Sequence, residues 1–350
     1  MTRPWRARIG SSAAAALGAA ALTSAQQQPQ YVERVDVARV IVDARVLDDR
    51  DEPILGLGAD DFRVKIDGKR VRVETATWIG ETPRTSEDAR EDVPLNPALD
   101  PDAAGRLVVF LFQKDLEPSR IVGLMQLLIS SRDFLATLGP RDRVAILSFD
   151  SHLKIWTDFT ADRERLERVL AHDLLMADPR AVQQSAPPSL LDELTPARGK
   201  QTYGIERALE LIGRALEPLP GSKSLVLVGH GFGRLGRTGV LMERDYDPAR
   251  QALLGSRTSV FSLDVVDADY HSLEVGLQLV AEETGGFYER TRTFPDVALH
   301  RLAGALAGYY VLFVEKPDTR RTTHDVDVGL TRRKGRVFAT SSYAAGPDYR

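Results

Sequence analysis

The chain contains no cysteine among its 350 residues. This absence excludes disulfide bonds, cysteine-ligated metals, thiol catalysis and attachment through a lipidated N-terminal cysteine. The chain also lacks an excess of positive charge, since its formal net charge is -4. The charge therefore gives no reason to expect nucleic-acid binding. After the N-terminal region, no apolar run is long enough to cross a membrane. The overall composition, 43% hydrophobic and 27% charged, is typical of a globular protein with a hydrophobic core.

Residues 1–25 have the pattern of a signal peptide. Arg3, Arg6 and Arg8 form a basic start, residues 9–22 are small and apolar, and Ser24-Ala25 offers a cleavage site before Gln26. An ordinary N-terminal alanine helix is the structural alternative. We expect an exported chain, periplasmic or secreted, that has no membrane span once the signal is removed.

Composition and periodicity divide the rest of the chain. Residues 26–30 form a polar linker, and residues 31–79 alternate apolar and polar side chains around the hairpin signal Asp67-Gly68, which predicts an N-terminal β module. A linker at 80–105, an α/β unit at 106–314 and a C-terminal β hairpin and tail at 315–350 follow. Neither β flank can bury a core alone, so we expect 31–79 and 309–343 to pack together as one β unit.

The α/β unit begins with the unbroken apolar run 107–112, which is typical of a strand buried on both faces. Polar residues follow at once, and strands then alternate with helices as far as residue 307. This order predicts a mostly parallel central sheet with helices on both faces. Ligands of such sheets bind at the carboxyl ends of the strands, which places the first candidate site at the polar residues that follow residue 112.

The order of elements and several stretches resemble a von Willebrand factor type A domain across residues 106–314. These stretches are DRVAILSFDSHLKIWTDFT, KSLVLVGHGFG, SVFSLDVVD and LVAEETGGFYE. The flanks VDVARVIVDARVLDDRDEPILGLGADDFRVKIDGKRV and GYYVLFVEKP are similar to those of bacterial proteins called VWFA-related acidobacterial proteins. The resemblance implies a Rossmann-like α/β domain with a small β module from both flanks, and a role in protein–protein interaction or adhesion.

The resemblance also implies a divalent-cation site at the carboxyl edge of the sheet. The family holds the ion with Asp-x-Ser-x-Ser after the first strand, a threonine in a later loop and an aspartate after the fourth strand. The corresponding residues here are Gln113, Asp115, Glu117, Thr202 and His230. Both anchoring aspartates are replaced, so we expect a degenerate site without tight Mg²⁺ binding. A rearranged metal site of Asp115, Glu117 and His230 is one alternative, and a polar edge without metal is the other.

Three functions fit the sequence. The first is an exported module that binds a protein partner through the edge formed by Gln113, Asp115, Glu117, Thr202 and His230, with no catalytic residue and no cofactor. The second is a metal-dependent or hydrolytic enzyme that uses His230 with Asp115 or Glu117. The third is a structural subunit of an envelope assembly, in which the β flanks add strands to neighbouring molecules.

The remaining motifs have simpler interpretations. The stretch GHGFG at 229–233 resembles a nucleophile elbow but lacks its serine. Asp264 and Asp267 follow a predicted strand, where helix capping is the expected role. The other histidines show no spacing that indicates a shared site, and each is expected to lie on the surface: His152, His172, His271, His300 and His324.

Overall fold

The structure, a computed structural model, describes residues 39–80, 105–268, 270–291, 294–317 and 323–344. The predicted signal peptide, the linker at 26–30, the first part of the N-terminal β module and nearly all of the linker at 80–105 lie outside these residues.

The described residues form strands at both ends of the chain and alternating strands and helices between them. The strands are β1 (Arg39–Leu47), β2 (Phe62–Ile66), β3 (Lys69–Val71), β4 (Val73–Gly80), β5 (Leu107–Gln113), β6 (Arg143–Phe149), β7 (Leu153–Thr160), β8 (Lys223–Gly229), β9 (Arg234–Gly236), β10 (Gly239–Leu241), β11 (Thr258–Asp264), β12 (Tyr288–Arg290), β13 (Gly308–Glu315), β14 (Thr323–Leu330), β15 (Arg336–Ala339) and β16 (Ser342–Ala344). The helices are α1 (Pro118–Ala136), α2 (Arg163–Arg168), α3 (Leu174–Met176), α4 (Pro196–Lys200), α5 (Ile205–Leu216), α6 (Tyr246–Gly255), α7 (Glu274–Thr284) and α8 (Pro295–Leu306). A π-helical stretch, Val169–Asp173, joins α2 to α3.

The central sheet has six strands in the order β12-β11-β8-β5-β6-β7. All neighbouring strands run parallel except β7, which runs antiparallel to β6. The fold is therefore mixed α/β, and the sheet departs from a fully parallel Rossmann-like arrangement at this edge strand. The turn between β6 and β7 spans only residues 150–152, and so short a connection requires antiparallel strands.

Helices cover both faces of the central sheet, and β5 lies in the middle with every residue buried. Successive side chains of a strand point to opposite faces. Phe110 and Phe112 therefore pack in one core with α1 and α8, whereas Val109 and Leu111 pack in a second core with α5, α6 and α7. Burial on both faces explains the unbroken apolar run from which the strand was predicted.

Two further four-stranded sheets, β15-β1-β13-β4 and β16-β14-β2-β3, combine strands from both ends of the chain. β1 pairs with β13 and β15, and β2 pairs with β14. The two sheets enclose a separate core that includes Val42, Val64, Ile66, Tyr310 and Leu312. The chain passes directly from β3 to β4 at Arg72 and from β15 to β16 at residues 340–341, so continuous chain links the two sheets on both sides.

Several elements differ from the sequence prediction. β13 lies where two predicted units overlap, the α/β unit at 106–314 and the β unit of 31–79 with 309–343, and it pairs with β1 and β4 and not with the central sheet. Its buried and half-buried residues alternate, which suits an antiparallel strand with unlike faces. The β9–β10 hairpin lies in a segment for which no strand was predicted.

Candidate functional site

The carboxyl ends of four neighbouring strands meet at one edge of the central sheet. The register pairs Phe112 of β5 with Val228 of β8, and Gly229 with Asp264 of β11. Asp264 in turn pairs with Arg290 of β12. The residues at and just after the ends of these strands, including Gln113 and His230, are therefore placed side by side by the strand pairing.

Gln113 connects the end of β5 to the loop that follows β8. Its Oε1 accepts a hydrogen bond from the backbone N–H of His230 at 3.0 Å, and its Nε2 donates to the carbonyl of Gly231 at 3.2 Å. The side chain is buried, at 4% exposure. Gly229 lies directly against it, since a Cβ at that position would stand 2.0 Å from Gln113 Oε1. The neutral side-chain amide of Gln113 thus bonds to the backbone of the loop that follows β8.

Asp115 and Glu117 share one cation, the guanidinium of Arg120. Asp115 pairs with Arg120 Nη1, and Glu117 lies 3.3 Å from Arg120 Nε. Burial opposes ionisation of Asp115, but the backbone N–H of Glu117 and the Arg120 side chain outweigh this effect and lower its pKa. The neighbouring Lys114 lies over the ring of Trp156 at 5.6 Å, on the β7 side of the edge.

His230 is mostly buried beside these groups. Among the described residues, its Nδ1 is buried without a hydrogen-bond partner, and its side chain makes no hydrogen bond to Asp115 or Glu117. Burial lowers the pKa of His230, the nearby Arg120 lowers it further, and the Asp115 carboxylate partly offsets the shift. The imidazole is therefore neutral near pH 7, and the hydrogen-bonded His–carboxylate pair that the enzymatic hypothesis requires is not formed at this position.

Thr202 is fully buried, and its hydroxyl donates to the carbonyl of Arg198 at 2.9 Å. The hydroxyl is thus engaged in closing the last turn of α4. Of the five predicted edge residues, a hydrogen bond joins Gln113 to His230, and Arg120 joins Asp115 to Glu117. Among the described residues, the Thr202 hydroxyl bonds to Arg198 and to none of the other four.

A second polar cluster lies at the same edge, after β11. Nε2 of His271 is 2.7 Å from Oδ2 of Asp264, and the hydroxyl of Tyr288 donates to that oxygen at 2.7 Å and to Oε2 of Glu274 at 3.2 Å. Nη2 of Arg290 donates to both carboxylate oxygens of Glu274, at 2.9 and 2.8 Å. A ligand atom from each of Asp264, His271 and Glu274 lies within 4.8 Å of the other two, so these three could hold a metal ion.

The sequence interpretation missed this cluster. It predicted a helix-capping role for Asp264 and a surface position for His271, whereas Asp264 is buried at 1% exposure and binds the imidazole. Asp264 does accept from the backbone N–H of Val266 with its other oxygen. One sequence signal could have revealed the cluster. It is an aspartate at the end of a strand, followed by His271 just before a helix and by Glu274 at the start of that helix.

Large apolar side chains are exposed in the loops at this edge. Leu116, after β5, is 80% exposed, Tyr270, after β11, is 69% exposed, and Phe294, after β12, is 66% exposed. Leu235 of the β9–β10 hairpin and Tyr203, just before α5, are also exposed. We call these five residues the edge surface. Each lies in a different segment at the carboxyl edge, so no single loop accounts for them.

Comparison with known proteins found no matching family model and no matching curated protein. The solved structures to which the chain is similar include a von Willebrand factor type A protein from Catenulispora acidiphila. The sequence identity is 12%, the TM-score is 0.42, and the match covers 84% of this chain and 76% of that one. An aerotolerance-related membrane protein from Bacteroides fragilis has 16% identity, a TM-score of 0.38 and coverage of 57% and 98%.

The human COPII-coat protein Sec24c has 11% identity and a TM-score of 0.38, with coverage of 69% of this chain and 43% of its own. The chain therefore spans less than half of the Sec24c chain that it matches. Within the described residues, none of the helices combines the length and hydropathy that a membrane-spanning segment needs.

Proposed function

We propose that the chain is an exported, protein-binding module of the von Willebrand factor type A kind that contacts its partner through the carboxyl edge of the central sheet. The observation that carries the proposal is the edge surface, where an aromatic or leucine side chain is exposed in each of five segments. Exposed apolar side chains that share one region and are surrounded by polar groups are typical of protein-contact surfaces. Aromatic residues in particular anchor such contacts.

The proposed contact needs no cation at the position where the resembling family binds one. Gln113 contributes a neutral amide there, and Arg120 already compensates the charges of Asp115 and Glu117. A Mg²⁺ ion at Asp115 and Glu117 would have to displace that guanidinium and would find nitrogen, not oxygen, on His230. The site is thus proposed to be degenerate, with the binding edge itself retained.

Export is supported by the basic and apolar pattern of residues 1–25. Mass spectrometry of the protein purified from its own cells is expected to find a mature chain that starts near Gln26. An intact Met1 in the envelope fraction would contradict export by a cleaved signal.

The edge surface is tested by capture from an envelope extract with two matched variants. Leu116→Asp places a charge in the edge surface, and Ile129→Asp places the same charge on the exposed side of α1, where Ile129 is 76% exposed. We expect the wild type and Ile129→Asp to retain the same protein and Leu116→Asp to lose it. Equal retention by Leu116→Asp and a matching Phe294→Asp variant would show that the partner does not bind this edge.

A further inference from the structure

We propose that Asp264, His271 and Glu274 form a binding site for a divalent transition-metal ion such as Zn²⁺. The site lies after β11, beside the Gln113–His230 position at which the resembling family binds its cation. The inference rests on the geometry and chemistry of this cluster and does not depend on the proposed protein partner.

The three donors are close to the separation that a zinc ion imposes. Four-coordinate zinc binds nitrogen and oxygen at about 2.0–2.2 Å, which places neighbouring ligands roughly 3.3–3.6 Å apart. Here Nε2 of His271 and Oδ2 of Asp264 are 2.7 Å apart, and all three ligand atoms lie within 4.8 Å of one another. Adjustments of about 1 Å in the side chains would therefore complete the geometry.

The donor set also favours a transition metal over Mg²⁺. Two carboxylates supply a charge of -2, which matches a divalent ion, and a neutral imidazole suits Zn²⁺ far better than Mg²⁺. Three protein donors leave a fourth position for water or for an oxygen of a bound molecule. The side chain of His271 is 18% exposed, whereas those of Asp264 and Glu274 are 2% and 3% exposed, so His271 is the donor nearest to solvent.

Hydrogen bonds around the donors hold them in place. The Tyr288 hydroxyl donates to Oδ2 of Asp264 and to Oε2 of Glu274, and the Val266 N–H donates to Oδ1 of Asp264. Such partners of metal ligands orient the ligand atoms before the ion arrives.

Arg290 acts as a resident cation that a metal ion must displace. Its Nη2 binds both oxygens of Glu274, yet its side chain is 43% exposed and has room to move into solvent. Arg290 and the metal ion therefore compete for Glu274.

If Arg290 and the metal ion compete for Glu274, removal of Arg290 should strengthen metal binding. A hydrogen-bond network with a purely structural role would not show this effect. The full chain, dialysed against a chelator, is titrated with Zn²⁺ in a calorimeter and with Co²⁺ in an absorption spectrometer. We expect one ion per chain and a Co²⁺ spectrum that shows nitrogen coordination. Arg290→Gln should bind several-fold more tightly than the wild type, whereas His271→Ala should lose at least about tenfold in affinity.

His172→Ala is the matched control, because the side chain of His172 is 72% exposed and hydrogen-bonds to its neighbour Asp173. It should bind Zn²⁺ as the wild type does. Glu274→Gln, which keeps the side-chain shape and removes the charge, provides a second loss variant if His271→Ala fails to fold, as judged by circular dichroism. Binding that survives both loss variants, or no binding by either the wild type or Arg290→Gln, would overturn the proposal.

Discussion

Gln113 binds the backbone of His230, accepting its N–H at 3.0 Å across the gap between the ends of β5 and β8. A second bond from Gln113 to the carbonyl of Gly231 completes the connection. The resemblance to type A domains implies an aspartate at each of these two positions and a cation near them. In this chain the neutral amide of Gln113 joins the two loops directly.

Replacing Gln113 with alanine should destabilise the fold. Two hydrogen bonds are lost, and the N–H of His230 is left without its partner near a buried side chain, which costs about 1–3 kcal/mol. Gln126→Ala is the matched control, because Gln126 is exposed on α1. Urea unfolding should give a lower free energy for Gln113→Ala only. Equal values for the two variants would mean that the amide bonds do not stabilise the edge.

The purified chain should show no micromolar affinity for Mg²⁺ at Asp115 and Glu117. Arg120 already neutralises both carboxylates, and removal of a bound guanidinium opposes entry of the ion. Isothermal titration with Mg²⁺ measures this directly on the wild type and on Asp115→Ala. Micromolar binding that disappears in Asp115→Ala would demonstrate a working site at these residues.

Replacing Lys223 with methionine should stabilise the protein at neutral pH. Lys223 is buried, and burial, followed by repulsion from Arg257, lowers its pKa from 10.5 to about 8. Below pH 8 both folded and unfolded chains are protonated, and the folded state bears a penalty of about 3 kcal/mol. Loss of the bond from Nζ to the carbonyl of Leu219 offsets about 1 kcal/mol of the gain.

The sign of the pH dependence follows from the same shift. Between about pH 8 and pH 10.5 the folded lysine loses its proton while the unfolded one keeps it, so the wild type gains stability as pH rises. The advantage of Lys223→Met should therefore shrink across this window in urea unfolding experiments. The exposed Lys200→Met serves as the control and should show no such window. A Lys223→Met protein less stable than the wild type at pH 7 would contradict the assignment.

A fragment that begins at residue 100 should be less soluble and less stable than the full chain. It lacks β1 to β4, and β1 lies between β13 and β15. Its absence would expose Tyr310 and Leu312, which are fully buried in the full chain. Sedimentation and thermal unfolding of both proteins measure the difference. A soluble 100–350 fragment with unchanged stability would show that the two flanks do not form one core.

Sequence reasoning predicted the elements whose signal is local. β5 could be predicted because burial on both faces demands a continuous apolar run, and the β2–β3 hairpin because Asp67-Gly68 suits a tight turn in which both residues have positive φ. The sequence predicted that residues 309–343 pack with residues 31–79, but it could not specify which strands pair with β13. Alternation specifies that a strand has two unlike faces, but it does not specify which strand lies beside it.

The polar clusters could not be predicted from the sequence for a similar reason. His271 looked isolated because its partner Asp264 is seven residues earlier, across a loop, and Tyr288 and Arg290 come from another strand. Nothing in the sequence distinguishes Arg120, which pairs with Asp115 and Glu117, from any other arginine on the surface. Which charges meet depends on how β5, β8, β11 and β12 align, and that alignment follows from tertiary packing.

The most direct test of a cation-independent contact edge is the affinity of the captured envelope protein for the full chain, measured with Mg²⁺ and again with a chelator. The wild type and Ile129→Asp should bind with the same affinity in both conditions, because the edge surface is formed by side chains and not by an ion. Leu116→Asp should lose at least tenfold in affinity in both, as expected when a charge enters an apolar contact. Binding by the wild type that disappears with the chelator and is restored by Mg²⁺ would contradict the account.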